Sequence, residues 1–145
     1  MKATELLKKD HDRVKNLFKE IKSAGGDRKE EILATIAEEL RIHSDLEEKI
    51  FYPAVKSIDP DEIIRFQEAH HDIEEVLVDL EDLTAEDEEF DQRVKELEQD
   101  VIDHLSEEEG DLFPKAEEQL KDRLTPLGSE LSNLKKELSG GRKAA

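Results

Sequence analysis

The sequence predicts an all-α fold, an up-down-up-down antiparallel four-helix bundle with a short C-terminal helix. Apolar residues recur at intervals of three and four through most of the chain, which is the spacing of one helix face. Four such segments are long and their connections are short, which favours antiparallel neighbours. Charged residues make up 43% of the chain and aromatic residues 4%, as in many disordered proteins, but the strict periodicity indicates a folded one.

The first two helices are separated by a glycine-rich break. The first is predicted over residues 4–23, and two glycines interrupt the pattern in residues 24–27. Asp27 and Glu30 have the spacing of a capping box, so the second helix is expected to begin there. This helix should bend or stop at Pro53, because proline has no backbone N–H to donate.

Two further long helices follow. Asp59 and Pro60 are typical of the cap and first turn of a third helix, whose pattern fades over residues 84–87. The fourth helix is predicted from about residue 88 to residue 110, with a kinked continuation past Pro114 to about residue 120.

The C-terminal region is expected to be a separate element. A shorter amphipathic segment begins at Thr125 and Pro126 and should end near Leu138, which leaves a frayed tail. The sequence therefore predicts a bundle over residues 1–122, and an amphipathic helix with a flexible tail over residues 123–145.

Charge and cysteine content exclude several classes of function. The net charge of −18 disfavours nucleic acid and anionic membranes as partners, because an acidic protein repels phosphate groups. The absence of cysteine excludes disulfides and thiolate sites, so any metal must be held by nitrogen and oxygen. No apolar run could span a bilayer and the first residues do not look like a signal peptide, so we expect a cytoplasmic protein.

Six polar residues occupy positions where the helical pattern calls for apolar side chains. They are His11 in the first helix, His43 and Glu47 in the second, His70 in the third, and His104 and Glu108 in the fourth. Burying a carboxylate costs several kcal/mol unless the charge is compensated, and a metal cation is the strongest compensation. The set therefore predicts a metal site, from which His71 is excluded because it lies about 100° around the helix from His70.

The spacing also predicts that these residues share one level of the bundle. At a rise of 1.5 Å per residue, His11, His43, His70 and His104 lie roughly 15 to 24 Å along their helices from the turns that join those helices. His43 and Glu47 precede Pro53 by the same counts by which His104 and Glu108 precede Pro114. This repeat implies approximate twofold symmetry and two metal ions. Histidine and carboxylate ligands suit iron, and zinc or manganese would also bind.

The same motifs resemble the hemerythrin-like, or HHE cation-binding, domains over roughly the first 120 residues. The resemblance lies in His11, His70 and the two His-x-x-x-Glu pairs, each followed by an aromatic residue and proline. It implies two irons bridged by the two glutamates and an oxo or hydroxo group, each iron capped by two histidines. It further implies open positions for O2, NO or peroxide.

Four other residues near these motifs have alternative interpretations. Glu74 stands one turn after His70, where oxygen carriers of this family have a second histidine, and is either an additional ligand or, on base rates, a solvated glutamate. Glu48 and Glu109 are interpreted as a solvated flank, with a role as second ligands as the alternative. Tyr52 is interpreted as helix-end packing, with donation of a hydrogen bond or an electron near the site as the alternative.

Three functional classes follow. The preferred class is a protein that binds O2, NO, peroxide or iron in sensing, storage or stress response. The second is a redox enzyme that decomposes peroxide or NO, or a donor of iron for repair of metal centres. The third is a metal-independent helical interaction module. The sequence leaves open whether the protein is an enzyme and which protein is its partner.

Overall fold

The computed structural model describes residues 1–144, and side chains through residue 140, as a bundle of helices without strands. No helix in this described part is long and apolar enough to cross a membrane. The α-helices are α1 (Ala3–Ser23), α2 (Gly26–Leu46), α3 (Tyr52–Val55), α4 (Pro60–Glu81), α5 (Glu88–Glu107), α6 (Phe113–Leu120) and α7 (Leu124–Ala144). Two π-helical turns, Glu47–Phe51 and Glu108–Leu112, join α2 to α3 and α5 to α6, and a 3₁₀ turn, Lys121–Arg123, precedes α7.

The helix starts confirm one predicted cap and correct another. The Asp59 carboxylate accepts a hydrogen bond from the backbone N–H of Glu62 at 3.1 Å, as expected for the cap of α4. The predicted capping box at Asp27 is wrong, because α2 begins at Gly26, which has a positive φ of 32°. Glu30 instead accepts a hydrogen bond from the backbone N–H of Ala85 at 3.0 Å.

The interior consists of two apolar clusters separated by a polar layer. The first cluster contains residues of α1, α2, α4 and α5, with Phe18, Ile36, Leu77 and Leu97 among its most buried members. The second contains the start of α1, the region of both proline motifs and three leucines of α7. The six predicted site residues lie where the two clusters meet along their helices, so the polar layer crosses the bundle near one level.

The C-terminal helix α7 completes the second cluster. Its leucines Leu124, Leu127 and Leu131 are buried there. Gly128 lies so close to the start of the chain that an added methyl group would overlap the carbonyl oxygen of Met1. The helix also extends beyond the predicted end near Leu138 and continues to Ala144, while Ala145 of the predicted tail lies outside the described residues.

The substitution Leu77→Ala tests the first cluster. Leu77 is 1% exposed, so its truncation should lower the free energy of unfolding by about 2–5 kcal/mol in urea denaturation followed by circular dichroism. Its neighbour Val78 is 48% exposed, and Val78→Ala should change that free energy by no more than about 0.5 kcal/mol. Equal effects of the two substitutions would contradict the packing described here.

Candidate metal centre

The structure brings all six predicted residues together in two overlapping groups. One group contains His11, His43, Glu47 and Glu108, and the other contains Glu47, His70, His104 and Glu108. Within each group, one potential ligand atom from every residue lies within 4.8 Å of the others. The side chains are buried, with 0% exposure for both glutamates. The two groups share the glutamates, which are the two residues that the family resemblance implied as bridges.

The two π-helical turns place the shared glutamates. Each turn begins at a glutamate of a His-x-x-x-Glu pair, and its wider hydrogen bond runs from Tyr52 N–H to the carbonyl of Glu47, or from Phe113 N–H to that of Glu108. A proline follows each of these donors and removes the next backbone donor in the series. Such π-helical turns occur frequently at functional sites, and here they begin at the two residues common to both groups.

The Nε2 atoms of the histidines converge on the shared carboxylates. In the first group the Nε2 atoms of His11 and His43 are 3.1 Å apart, and His43 Nε2 lies 3.4 Å from Glu47 Oε1. In the second group the Nε2 atoms of His70 and His104 are 3.0 Å apart, and His70 Nε2 lies 2.9 Å from Glu47 Oε1. Each group therefore offers two imidazole nitrogens and two carboxylates to one small volume.

The donor atoms fit a bound cation. Glu47 Oε2 and Glu108 Oε1 are buried oxygens without a hydrogen-bond partner in the described structure. Unpartnered buried carboxylate oxygens are costly in a protein interior, and coordination to a metal ion would compensate both. Nitrogen and oxygen donors suit zinc, manganese and iron alike, so these residues do not by themselves select one metal.

The electrostatics of the centre show how the charges are balanced among the side chains. Burial and the neighbouring charge of Glu47 raise the pKa of Glu108. Burial opposes ionisation of Glu47, but the charge of His43 and several hydrogen bonds outweigh it and hold the pKa of Glu47 low. Burial likewise opposes charge on His43 and His70, but Glu47 outweighs this cost and raises the pKa of both imidazoles. Protons on these histidines thus compensate the buried carboxylate charge.

Three of the histidines bind a second carboxylate through their other ring nitrogen. Nδ1 of His11 lies 2.7 Å from Glu109, and Nδ1 of His70 lies 2.9 Å from Glu48. The Nδ1 atom of His43 lies 3.2 Å from Asp10. Partners of this kind fix the orientation of a metal-binding imidazole. The interpretation of Glu48 and Glu109 as merely solvated is therefore wrong, although their side chains remain 44% and 27% exposed.

His104 differs from the other three histidines. Its Nδ1 atom is buried and has no hydrogen-bond partner among the described residues. The rings of Phe66 and His104 pack edge to face, with 5.3 Å between their centroids. The two groups therefore differ in the partners of their histidine Nδ1 atoms: both histidines of the first group have a carboxylate partner, but only His70 of the second group has one.

Tyr52 belongs to the polar layer, which corrects its interpretation as helix-end packing. Its hydroxyl group donates a hydrogen bond to Glu108 Oε2 at 2.5 Å and also lies 3.2 Å from Glu47 Oε1 and 3.3 Å from His70 Nε2. Burial, together with both carboxylates, raises the pKa of the phenol. The sequence carried one signal, since the equivalent position before the second proline is Phe113, which has no hydroxyl group.

Glu74 and His71 lie outside both groups. Glu74 is 45% exposed and binds Arg41, whose Nη2 lies 2.9 Å from Glu74 Oε1. Arg41 also binds Glu81 at 2.8 Å, and these two carboxylates raise the pKa of the guanidinium group. His71 is 74% exposed and lies 3.2 Å from Glu75. The structure thus places Glu74 with a surface arginine and not at the centre.

A family comparison agrees with this geometry. The model of the hemerythrin HHE cation-binding domain matches residues 2–116, more than half of the chain. The chain belongs to this family. All six converging residues of this hemerythrin HHE domain lie inside the matched span, whereas α7 lies outside it.

One solved structure and one further protein sequence are similar to this chain. A crystal structure of a hemerythrin HHE cation-binding domain-containing protein from Mycobacterium kansasii is similar with a TM-score of 0.89 and 22% identity, over 97% of this chain and 89% of that one. A DNA nickase from Nostoc sp. (strain PCC 7120) is 29% identical over 118 residues, which is 78% of this chain. The chain spans only 33% of that relative's length.

Binding of Zn²⁺ to the metal-free domain is expected to release protons. Coordination needs neutral imidazoles, but His43 and His70 have pKa values raised above their ordinary 6.5 and retain protons at pH values above it. Zinc affinity should therefore fall as the pH drops through these raised pKa values. Calorimetry in buffers of different ionisation enthalpy measures the release. A heat that does not depend on the buffer would contradict this assignment.

Proposed function

We propose that this hemerythrin HHE domain holds two iron ions and uses them to bind a small oxidant or gas, O2, NO or peroxide, in sensing, storage or stress response. Glu47 and Glu108 would bridge the pair, His11 and His43 would hold one ion, and His70 and His104 the other. The observation that carries the proposal is the sharing of two buried glutamates, each with an unpartnered oxygen, between two pairs of convergent histidines. When bound, an iron pair supplies redox chemistry that the side chains lack.

The surrounding residues would keep water away and hold the imidazoles in place. Phe113 stacks on His11 with 5.7 Å between ring centroids, and Tyr52 stacks on His70 at 5.5 Å. Phe66 closes the side of His104, and all three aromatic residues are at most 1% exposed. A dry and rigid surrounding of this kind strengthens electrostatic interactions at the centre.

A cavity between α2 and α4 supports access by a small ligand. It has a volume of about 450 Å³, and His70, Glu48, Arg41 and Glu74 contribute to its lining. Its position next to His70 offers O2, NO or peroxide an approach to the second group of ligands. Its lining also includes Leu40, Ile73 and Leu77, so both charged and apolar side chains border it.

Tyr52 favours a second candidate, a redox enzyme that decomposes peroxide or reduces NO. Its phenol O–H is buried between the two shared carboxylates and provides a proton donor at the site. Tyr52→Phe removes this donor and keeps the ring. In a redox enzyme it should lower steady-state turnover of peroxide or NO by about 100- to 10,000-fold while iron content stays near that of the unmodified protein. A protein that only binds its ligand shows no steady turnover in either form.

Two other candidates have less support. A metal-independent interaction module would need the buried carboxylate oxygens to be satisfied without a cation, and Glu47 Oε2 and Glu108 Oε1 have no hydrogen-bond partner in the described residues. Iron donation to damaged metal centres would use the same bound iron and would be recognised by transfer to an acceptor. A nickase activity like that of the Nostoc relative has no support here, because the chain spans 33% of that protein and its net charge of −18 disfavours DNA.

Metal analysis of ligand variants tests the iron centre. Protein produced with added iron should contain about two irons per chain, and His104→Ala or Glu47→Ala should contain one or none, because a missing ligand leaves a buried charge uncompensated. His71→Ala is the matched control, since His71 is exposed on the same layer of α4, and it should load like the unmodified protein.

The same samples distinguish the functional candidates. Reduction followed by exposure to O2, NO or peroxide should change the absorption spectrum of the unmodified protein and of His71→Ala, and not of the depleted variants. Normal iron loading in both His104→Ala and Glu47→Ala would overturn the proposal. Absence of any bound transition metal in the unmodified protein would favour the interaction module.

A further inference from the structure

Asp10 is the most buried of the three carboxylates that bind a histidine Nδ1 atom. Its side chain is 7% exposed, whereas those of Glu109 and Glu48 are 27% and 44% exposed. Water can solvate the latter two in part, but Asp10 has to find its compensation within the protein. One oxygen, Oδ2, lies 3.2 Å from Nδ1 of His43. The other, Oδ1, accepts a hydrogen bond from Nζ of Lys135 at 2.5 Å.

Lys135 reaches Asp10 because α7 is fixed against the bundle. The buried face of α7 steps through Leu124, Leu127 and Leu131, and Lys135 follows Leu131 by one helical turn on this face. Gly128 holds the helix close to the backbone of Met1 and Ala3, at the start of the helix that carries Asp10. The lysine therefore projects from an anchored helix, and its amine approaches Asp10 while 36% of its side chain remains exposed.

The contact reaches only one half of the centre. Lys135, Asp10 and His43 form a continuous series of hydrogen-bonding groups that ends at the group shared with His11. In the other half, His70 binds Glu48, for which no lysine or arginine partner is found in the described structure. His104 has no Nδ1 partner at all among those residues.

We propose that Lys135 is a positioning residue that acts through Asp10 on His43, so that the C-terminal helix tunes one of the two metal positions and leaves the other unaffected. This inference rests on the proposed metal centre. Lys135 compensates the buried charge of Asp10 and holds the carboxylate against His43 Nδ1, which keeps His43 Nε2 directed at the centre. Without the amine, Asp10 keeps only His43 as a hydrogen-bonding partner and its position is no longer fixed from two sides.

The test is a titration of the full-length, metal-free protein with Co²⁺ in competition with a chelator. Lys135→Met keeps most of the length of the side chain and removes its charge. It should weaken one of the two binding steps by about tenfold, the lower end of the effect of losing a partner of a metal-binding histidine, and leave the other step unchanged. Lys135→Arg should restore both steps. Lys136→Met, an exposed neighbour on α7, should behave like the unmodified protein.

A second substitution checks that the effect passes through Asp10. Asp10→Asn keeps an oxygen acceptor and removes the charge, and should weaken the same binding step. The double variant Asp10→Asn and Lys135→Met should lose no more affinity than the stronger single variant, because both remove one shared interaction. Full additivity of the two losses would overturn the proposed route.

The remaining outcomes separate this inference from the proposed function. If Lys135→Met binds Co²⁺ like the unmodified protein, or if it weakens both steps equally, Lys135 does not position one metal site and the inference is wrong. If the unmodified protein binds no Co²⁺, the proposed metal centre itself is wrong, and the inference fails with it. Normal two-step binding with an unaffected Lys135→Met refutes the inference alone.

Discussion

Two carboxylates buried at the middle of a helical bundle are the constraint on which the rest of the structure depends. Glu47 and Glu108 are fully shielded from water, and each would be costly there in isolation. Four imidazoles, one phenol and three outer carboxylates converge on this layer, so among the described residues the buried polar side chains other than Thr4 and Glu62 are grouped around that pair. The apolar clusters on either side isolate the layer from solvent and increase the strength of each interaction within it.

The sequence predicted the helices and all six converging residues for a simple physical reason. A buried helix face has a fixed period, so a histidine or glutamate on that face is visible without coordinates. Contacts between residues of different helices produce no periodic pattern in the sequence. Tyr52, Asp10 and Lys135 were missed or undervalued because their partners come from other helices, up to 125 residues away for Lys135 and Asp10. The π-helical turns were missed because proline indicates an interruption and does not specify its form.

The outer carboxylates show where sequence patterns mislead. Each lies next to one of the converging residues, Asp10 before His11, Glu48 after Glu47 and Glu109 after Glu108, yet each binds a histidine of a different helix. In an acidic chain, adjacent acids look like ordinary surface charge. The partial exposure of Glu48 and Glu109 lets each of them serve both as a solvated surface group and as a partner of a buried imidazole.

The part of the chain that identifies the family and the part that completes the molecule are different. The family match ends at residue 116, whereas the leucines that seal the second cluster and the lysine that binds Asp10 belong to α7. A change in α7 can therefore alter the surroundings of the centre while all six converging residues stay the same. Two family members that carry the same histidines and glutamates need not be functionally interchangeable, because an appended helix can distinguish them.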